Sequence, residues 1–213
     1  EAAKVGFDSA VGDAISAIEN QMHAYHQVLR GGVALFAADG IVDRAVWRHY
    51  AEVLNIEASY PGIQAIGYAQ TIDRAQMEAF TKSIRGDGNL NYRIWPAGDR
   101  PSYTPIIYIA PFDGPNIDVL GYDMFSEPVR RKALEAARDS GEATLSGKVD
   151  LVQDAASIAK QAGTIMYLAV YHRGMPHQTQ EERRAALQGY VYGAFRMSDL
   201  MGNTLKRSNF ARI

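Results

Sequence analysis

Six apolar residues near the N-terminus, Val11, Ile15, Ile18, Met22, Tyr25 and Leu29, are spaced 4, 3, 4, 3 and 4 positions apart. Only an α-helix brings such positions onto one line, so the spacing predicts a helix with a narrow apolar seam, stopped at Gly31-Gly32. A seam this narrow suits a stalk that packs on the domain, on a twin chain, or on both. An ordinary amphipathic helix lying on its own core fits equally well, because the seam is short for a coiled coil.

The charge balance limits the partners. With 22 Lys+Arg against 24 Asp+Glu in 213 residues, the net charge is −2, which argues against nucleic acid as the main partner, since phosphate binding needs a basic face. The absence of cysteine removes a thiol nucleophile, a zinc–thiolate site, an iron–sulfur cluster and any disulfide framework, without choosing between cytosol and periplasm. The longest apolar runs, Pro105 to Phe112 and Thr164 to Tyr171, are strand-sized and too short to span a membrane. The chain begins at Glu1 with neither Met nor a signal-peptide pattern, so the expectation is a piece excised from a longer chain.

Local signals then order the elements. Asp43 is a good N-cap for a helix reaching about Asn55 with Trp47, Tyr50 and Leu54 on one face. Ile63 to Thr71 reads as a strand, and Asp73 with Gln76 forms a capping box ahead of a helix that buries Met77, Phe80 and Ile84. After the Gly86 to Asn89 turn come strands over Leu90 to Trp95 and Tyr103 to Ala110. Ser126 is expected to cap a helix over Glu127 to Ser140, ended by Gly141. Strands follow at Ala143 to Leu151, Gly163 to Tyr171 and Leu187 to Arg196, with Ser198 capping a last helix toward Lys206. Runs of strands broken by single helices, without a βαβα rhythm, indicate an α+β fold with antiparallel sheets.

The residues carry no enzyme signature: the phosphate-loop and dinucleotide glycine spacings, the serine elbow and the HExxH pattern are all missing. His23 and His26 lie one helical turn apart, and a metal role would need further ligands that do not stand nearby in sequence; no metal or cofactor is expected. Glu181 to Arg184 reads as a self-paired surface patch. Tyr103, Tyr108, Tyr122, Tyr167 and Tyr171 on the middle strands offer rings for lining a cavity or, as the simpler reading, for packing in the sheet with hydroxyls at its rim. Arg130, one turn into its helix, admits two readings. It is a receptor for a carboxylate or phosphate at a helix N-terminus, or it pairs with an acid such as Asp123 and ties helix to strand.

From Tyr60 onward the chain resembles the CHASE domain, an extracytoplasmic sensing module of receptor kinases and of bacterial cyclic-di-GMP enzymes. The likeness rests on Tyr60 to Gly67, on Tyr103 to Pro111, and above all on Leu120-Gly121-Tyr122-Asp123 with Arg130, Ala133, Ala137-Arg138, Gly141 and Leu145-Ser146; Leu151 to Gln153 and Tyr167 to Tyr171 complete it. The resemblance implies a stalk helix over residues 1–40, a membrane-distal PAS-like subdomain over 41–155, and a membrane-proximal one over 156–213 that shares strands with the first and leads to a second membrane span. It implies a periplasmic domain of an inner-membrane receptor, anchored by flanking helices, non-enzymatic in itself, and a homodimer through its N-terminal helix. The parent chain would carry a kinase or GGDEF/EAL output.

By the same register the ligand pocket would hold Arg130, Asp123, Met124, Tyr108, Val152 and Tyr167. Arg130 stands where the plant cytokinin receptors have an acid, which turns the expectation from adenine-type ligands toward an anionic small molecule. Tyr167 stands where they carry a smaller residue, so the pocket is either compact or filled. The alternative is a module that recognises a periplasmic partner protein.

Overall fold

In the computed structural model, which describes residues 2–39, 42–152, 162–196, 198, 199 and 202, the chain opens with one unbroken helix, α1 (Ala2–Asp39). Gly31 and Gly32 lie inside it and do not end it. A Cβ on Gly32 would sit 3.0 Å from Val191 and 3.3 Å from the Trp47 ring, so the glycine lets the helix approach its neighbours closely. Tertiary packing thus outweighs the modest helix penalty of glycine. The C-terminal half of α1 buries Tyr25, Val28, Leu29 and Phe36, whereas in the N-terminal half Phe7 is 58% and Ile15 52% exposed. Helix α2 (Arg44–Leu54) starts where Asp43 accepts the Val46 N–H, and the short α3 (Ile56–Ser59) follows Asn55, which turns the chain at φ 49°.

The strands are β1 (Ile63–Gln70), β2 (Ile72–Asp73), β3 (Ser102–Tyr103), β4 (Ile106–Ala110), β5 (Thr144–Leu145), β6 (Val149–Asp150), β7 (Ala162–Tyr171) and β8 (Leu187–Arg196). They interleave with α4 (Met77–Gly86), α5 (Pro128–Ser140) and α6 (Gln180–Ala186). One antiparallel sheet has the order β4-β1-β8-β7-β5, with β6 also on β7, and β2 pairs β3 in a separate ribbon. This is the α+β architecture expected, a long helix followed by an antiparallel sheet. Alternation along β7 splits the core in two: Met166, Leu168 and Val170 face α1 and α2, while Ile165, Tyr167 and Ala169 face α5. β8 divides likewise, with Val191 and Phe195 on the α1 side and Tyr190, Tyr192 and Ala194 on the other.

Several expectations are corrected. Residues 90–95 form no strand: Leu90 is 78% exposed and only Trp95 makes a bridge, to Tyr122. The stretch 103–110 divides at Pro105, so that β3 and β4 belong to different sheets. The stretch 143–151 becomes the short β5 and β6. The cap of α5 is Glu127, whose carboxylate accepts the Val129 and Arg130 N–H groups; the Ser126 hydroxyl instead donates to the Asp123 carbonyl. The charged stretch before β8 holds α6, opened by a Thr179–Glu182 capping box. The loop expected from Asp154 to Ala162, apart from Ala162, which opens β7, and most of the helix expected after Ser198 lie outside the described residues.

The division near residue 155 also falls outside the described residues, and β7 and β8 beyond it share the sheet with β1 and β4. β8 runs antiparallel to α1: Val191 lies near Gly32, and Phe195 stacks on Tyr25 with centroids 4.8 Å apart. The sheet therefore releases the chain at the pole toward which the exposed half of α1 projects.

Helices α5 and α6 are joined through Asp139. Arg184 donates to both its oxygens, at 2.9 and 2.6 Å, Arg138 at 2.6 Å and Gln180 at 2.9 Å. These bonds, those from Arg184 foremost, hold the Asp139 carboxyl well below the usual carboxylate range. A depressed folded-state pKa contributes stability that is complete above the unfolded value of about 3.9 and is lost as pH falls through the folded one. Asp139→Asn is expected to melt below wild type at neutral pH, with the gap closing only below about pH 4. Melting curves of both proteins across pH check this, and a gap unchanged down to the acid limit would remove the carboxylate from the account.

Candidate functional site beneath helix α5

Helix α5 lies on the sheet through Ala133, Leu134 and Ala137, all buried, and this packing turns Arg130 of its first turn inward. Arg130 is 4% exposed. Its Nη2 donates to the Asp150 carbonyl at 2.6 Å, and its Nη1 lies 3.4 Å from a Glu127 carboxylate oxygen and 3.5 Å from the Tyr122 hydroxyl. The guanidinium sits 5.3 Å from the centre of the Tyr122 ring, a cation–π distance. Its Nε–H is buried and has no partner among the described residues.

Arg130, Met124 and Val152 lie together, lining with Tyr122, Leu151 and Tyr192 a small cavity of about 20 Å³. That is room for about one water. Tyr167 is fully buried in the same half of the core, its ring 6.4 Å from Tyr190 and 6.5 Å from Tyr192. The hydroxyls of Tyr167, Tyr190 and Tyr192 are buried without partners among the described residues. Burial pushes all three phenols well above their ordinary range, so they stay protonated and able to donate. A buried donor left unpaired costs about 1–3 kcal/mol. Near Arg130 the unpaired groups are its Nε–H and the Tyr167 and Tyr192 hydroxyls, all able to donate, and an acceptor-rich guest would satisfy them.

Asp123 belongs to a different construction. It is fully buried, accepts the Thr104 N–H at 2.7 Å and the Phe125 N–H at 3.0 Å, and its ion pair, at 2.8 Å, is with Arg100. The Arg100 guanidinium in turn lies 4.9 Å over the Tyr103 ring. Asp123 therefore clamps the stretch before β4 to its own segment and does not pair with Arg130, whose acid is Glu127.

Tyr108 is on the opposite face of the sheet, stacked near Trp47 and Tyr68 with its hydroxyl donating to the Val42 carbonyl. The cause is a register shift: Ala69 pairs Ile106 and Tyr68 pairs Tyr108, leaving Ile107 extra, so Ile106 faces α5 while Tyr108 does not. Sequence reasoning missed Arg100, Glu127 and Tyr192. Tyr192 had a usable signal, its even spacing from Tyr190 on a recognised strand, whereas Arg100 sits in a polar loop without periodicity.

The profile of the CHASE domain family matches residues 40–213. The chain is 27% identical to "Probable histidine kinase 4" of Oryza sativa over 168 residues, 78% of this chain and 15% of that protein. It is 24% identical to "Histidine kinase 3" of Arabidopsis thaliana over 182 residues, 78% of this chain and 17% of that protein. The chain thus spans about one-sixth of these curated relatives. Among solved structures, its fold is similar to the ligand-binding domain of the Pseudomonas aeruginosa amino acid chemoreceptor PctC in complex with GABA. The TM-score is 0.53 at 12% identity, covering 100% of this chain and 68% of that one. An extracellular ligand-binding receptor from Desulfohalobium retbaense gives the same TM-score and identity over 93% of this chain and 26% of its own.

Removing one partner of a buried ion pair leaves a charge uncompensated, at about 3–5 kcal/mol. Arg100→Ala, which strands the fully buried Asp123 carboxylate, is therefore expected to lower stability by about 3 kcal/mol. Urea unfolding of the variant tests this; a loss below about 1 kcal/mol would remove the ion pair from the account of the clamp.

Proposed function

Because the chain belongs to the CHASE domain family, we propose that it is the periplasmic ligand-sensing portion of a bacterial inner-membrane receptor, binding a compact anionic molecule beneath α5. CHASE is a sensor domain and not a catalytic one. The similar curated proteins are histidine kinases, which favours a kinase over a cyclic-di-GMP enzyme as the output. The observation that carries the reading is the set of buried donors without partners among the described residues, Arg130 Nε and the Tyr167 and Tyr192 hydroxyls, in the half-core that holds the small cavity. A carboxylate entering there satisfies these donors and wedges α5 from the sheet. The signal is then a population shift no larger than the ligand's differential affinity for the two arrangements.

Membrane anchoring at both ends is supported by the common pole of β8 and the projecting half of α1. The distal and proximal subdomains remain part of this proposal, with β7 and β8 as the strands they share. The exposed Phe7 and Ile15 support dimerisation through α1. Ile15→Lys is expected to leave the fold intact and shift sedimentation from dimer to monomer; unchanged sedimentation would detach α1 from association.

A second reading, recognition of a partner protein, is favoured by the small volume of the cavity. The deciding experiment is a thermal-shift series with acetate, succinate and GABA on wild type and Arg130→Gln. Ligand at 100-fold its dissociation constant adds about 2.7 kcal/mol, and the resulting rise in Tm is expected to vanish in the variant. A rise that survives in Arg130→Gln would move the ligand elsewhere, and no rise with any of the three would turn the assignment to the partner protein.

A further inference from the structure

On the other side of the sheet edge lies a groove of about 510 Å³ between α2, α3 and β4. Consecutive residues Ile107 to Phe112 all line it. Successive strand residues point to opposite faces, so a groove touching all of them runs along the strand's outer edge and not over one face. β4 ends the sheet order, and its Ile106 end is already capped by backbone bonds to Gly121 and Tyr122. From Ile107 to Ala110 this edge has no strand partner among the described residues. Unpaired edge backbone is a template for an added extended segment.

The helix wall of the groove is polarised. Arg44, Arg48 and Glu52 recur at intervals of four along α2, with Glu57 beyond them on α3, so two cations mark one end and two carboxylates the other. Trp47, Ala51 and Ile56 form an apolar stretch between them. None of the four charged side chains is in an ion pair among the described residues, although Arg48 and Glu52 have the spacing for one. Eight residues of helix separate Arg44 from Glu52, about 12 Å. A peptide of about three or four residues, extended at about 3.3 Å each, places its two charged ends at that separation.

We propose that this groove binds a short apolar peptide with free ends, extended along β4, its carboxylate at Arg44 and Arg48 and its ammonium at Glu52 and Glu57. Backbone pairing with the strand edge gives affinity, and the two charged ends give length selectivity. A single amino acid is too short to meet both ends, and a long chain meets only one. The site shares only Ile109 of strand β4 with the lining of the cavity under α5, none of its charged residues, and stands whether or not that cavity binds a carboxylate.

Calorimetric titration of the 213-residue chain with trivaline tests the proposal. Saturable one-to-one binding is expected, weakened about tenfold or more by amidating the peptide's carboxylate and again by acetylating its amine. In the double variant Arg44→Gln/Arg48→Gln the free acid and the amide should bind alike, and in Glu52→Gln/Glu57→Gln the free and acetylated amines should bind alike. Two results would overturn it: no heat up to about 10 mM peptide, or capped trivaline binding as tightly as the free form. Both double variants change side chains at the rim of the groove, and their melting curves, expected to match wild type, separate a lost contact from a lost fold.

Discussion

A strand buried on both faces needs a cover on each, and β7 and β8 are such strands over almost their whole length. That requirement arranges the other elements. α1 and α2 close one face with aliphatic side chains and stacked rings, and α5 with the segment before it closes the other. Neither cover has a sufficient apolar surface of its own; each helix is stable because the sheet completes its core. The unusual continuity of α1 through two glycines follows from the same demand, since only a helix axis drawn close to Val191 and Trp47 fills that side.

The two half-cores differ in chemistry. On the α1 side polar tips mostly find backbone partners at the margins, as Tyr25 does with the Pro61 carbonyl, Tyr50 with that of Val28 and Tyr108 with that of Val42. On the α5 side two kinds of buried polar group coexist. Asp123 accepts two N–H groups on one carboxylate oxygen and faces the Arg100 guanidinium with the other, a charge held by its counter-charge. Arg130 has its acid at 3.4 Å, and its Nε and the tyrosine hydroxyls have no hydrogen-bond partner among the described residues.

Much of this was legible from the residues because the signals were local. The Asp43 cap, the Asp73–Gln76 box, the Gly141 stop and the long alternation of β7 and β8 each depend on neighbours a few positions away. Their physics is complete within one turn or strand. What was not legible depended on distant partners. Gly31-Gly32 reads as a stop until Val191 and Trp47 are placed against it, and Ser126 looks a better cap than Glu127 until its hydroxyl is drawn to the Asp123 carbonyl. In the site, Met124 and Val152 were expected from the register of the family resemblance, and Arg130 from its place one turn into the helix. Tyr108 went astray because one extra residue in β4 inverted the strand's parity, a change no pattern in β4 itself announces.

The unbroken course of α1 makes it a rigid arm whose base is part of the core. Among the residues whose burial is described, Tyr25 is its last fully buried contact toward the N-terminus, and Phe7 lies eighteen positions further out, about 27 Å along the axis. A tilt of about 5° at the base, the scale of a small repacking around Leu29 and Phe36, carries the tip sideways by about 2 Å over that length. The glycines that permit close packing at the base thus also set where the pivot lies. Geometry alone converts a shift of a few tenths of an ångström between sheet and helix into a displacement the width of an atom at the far end.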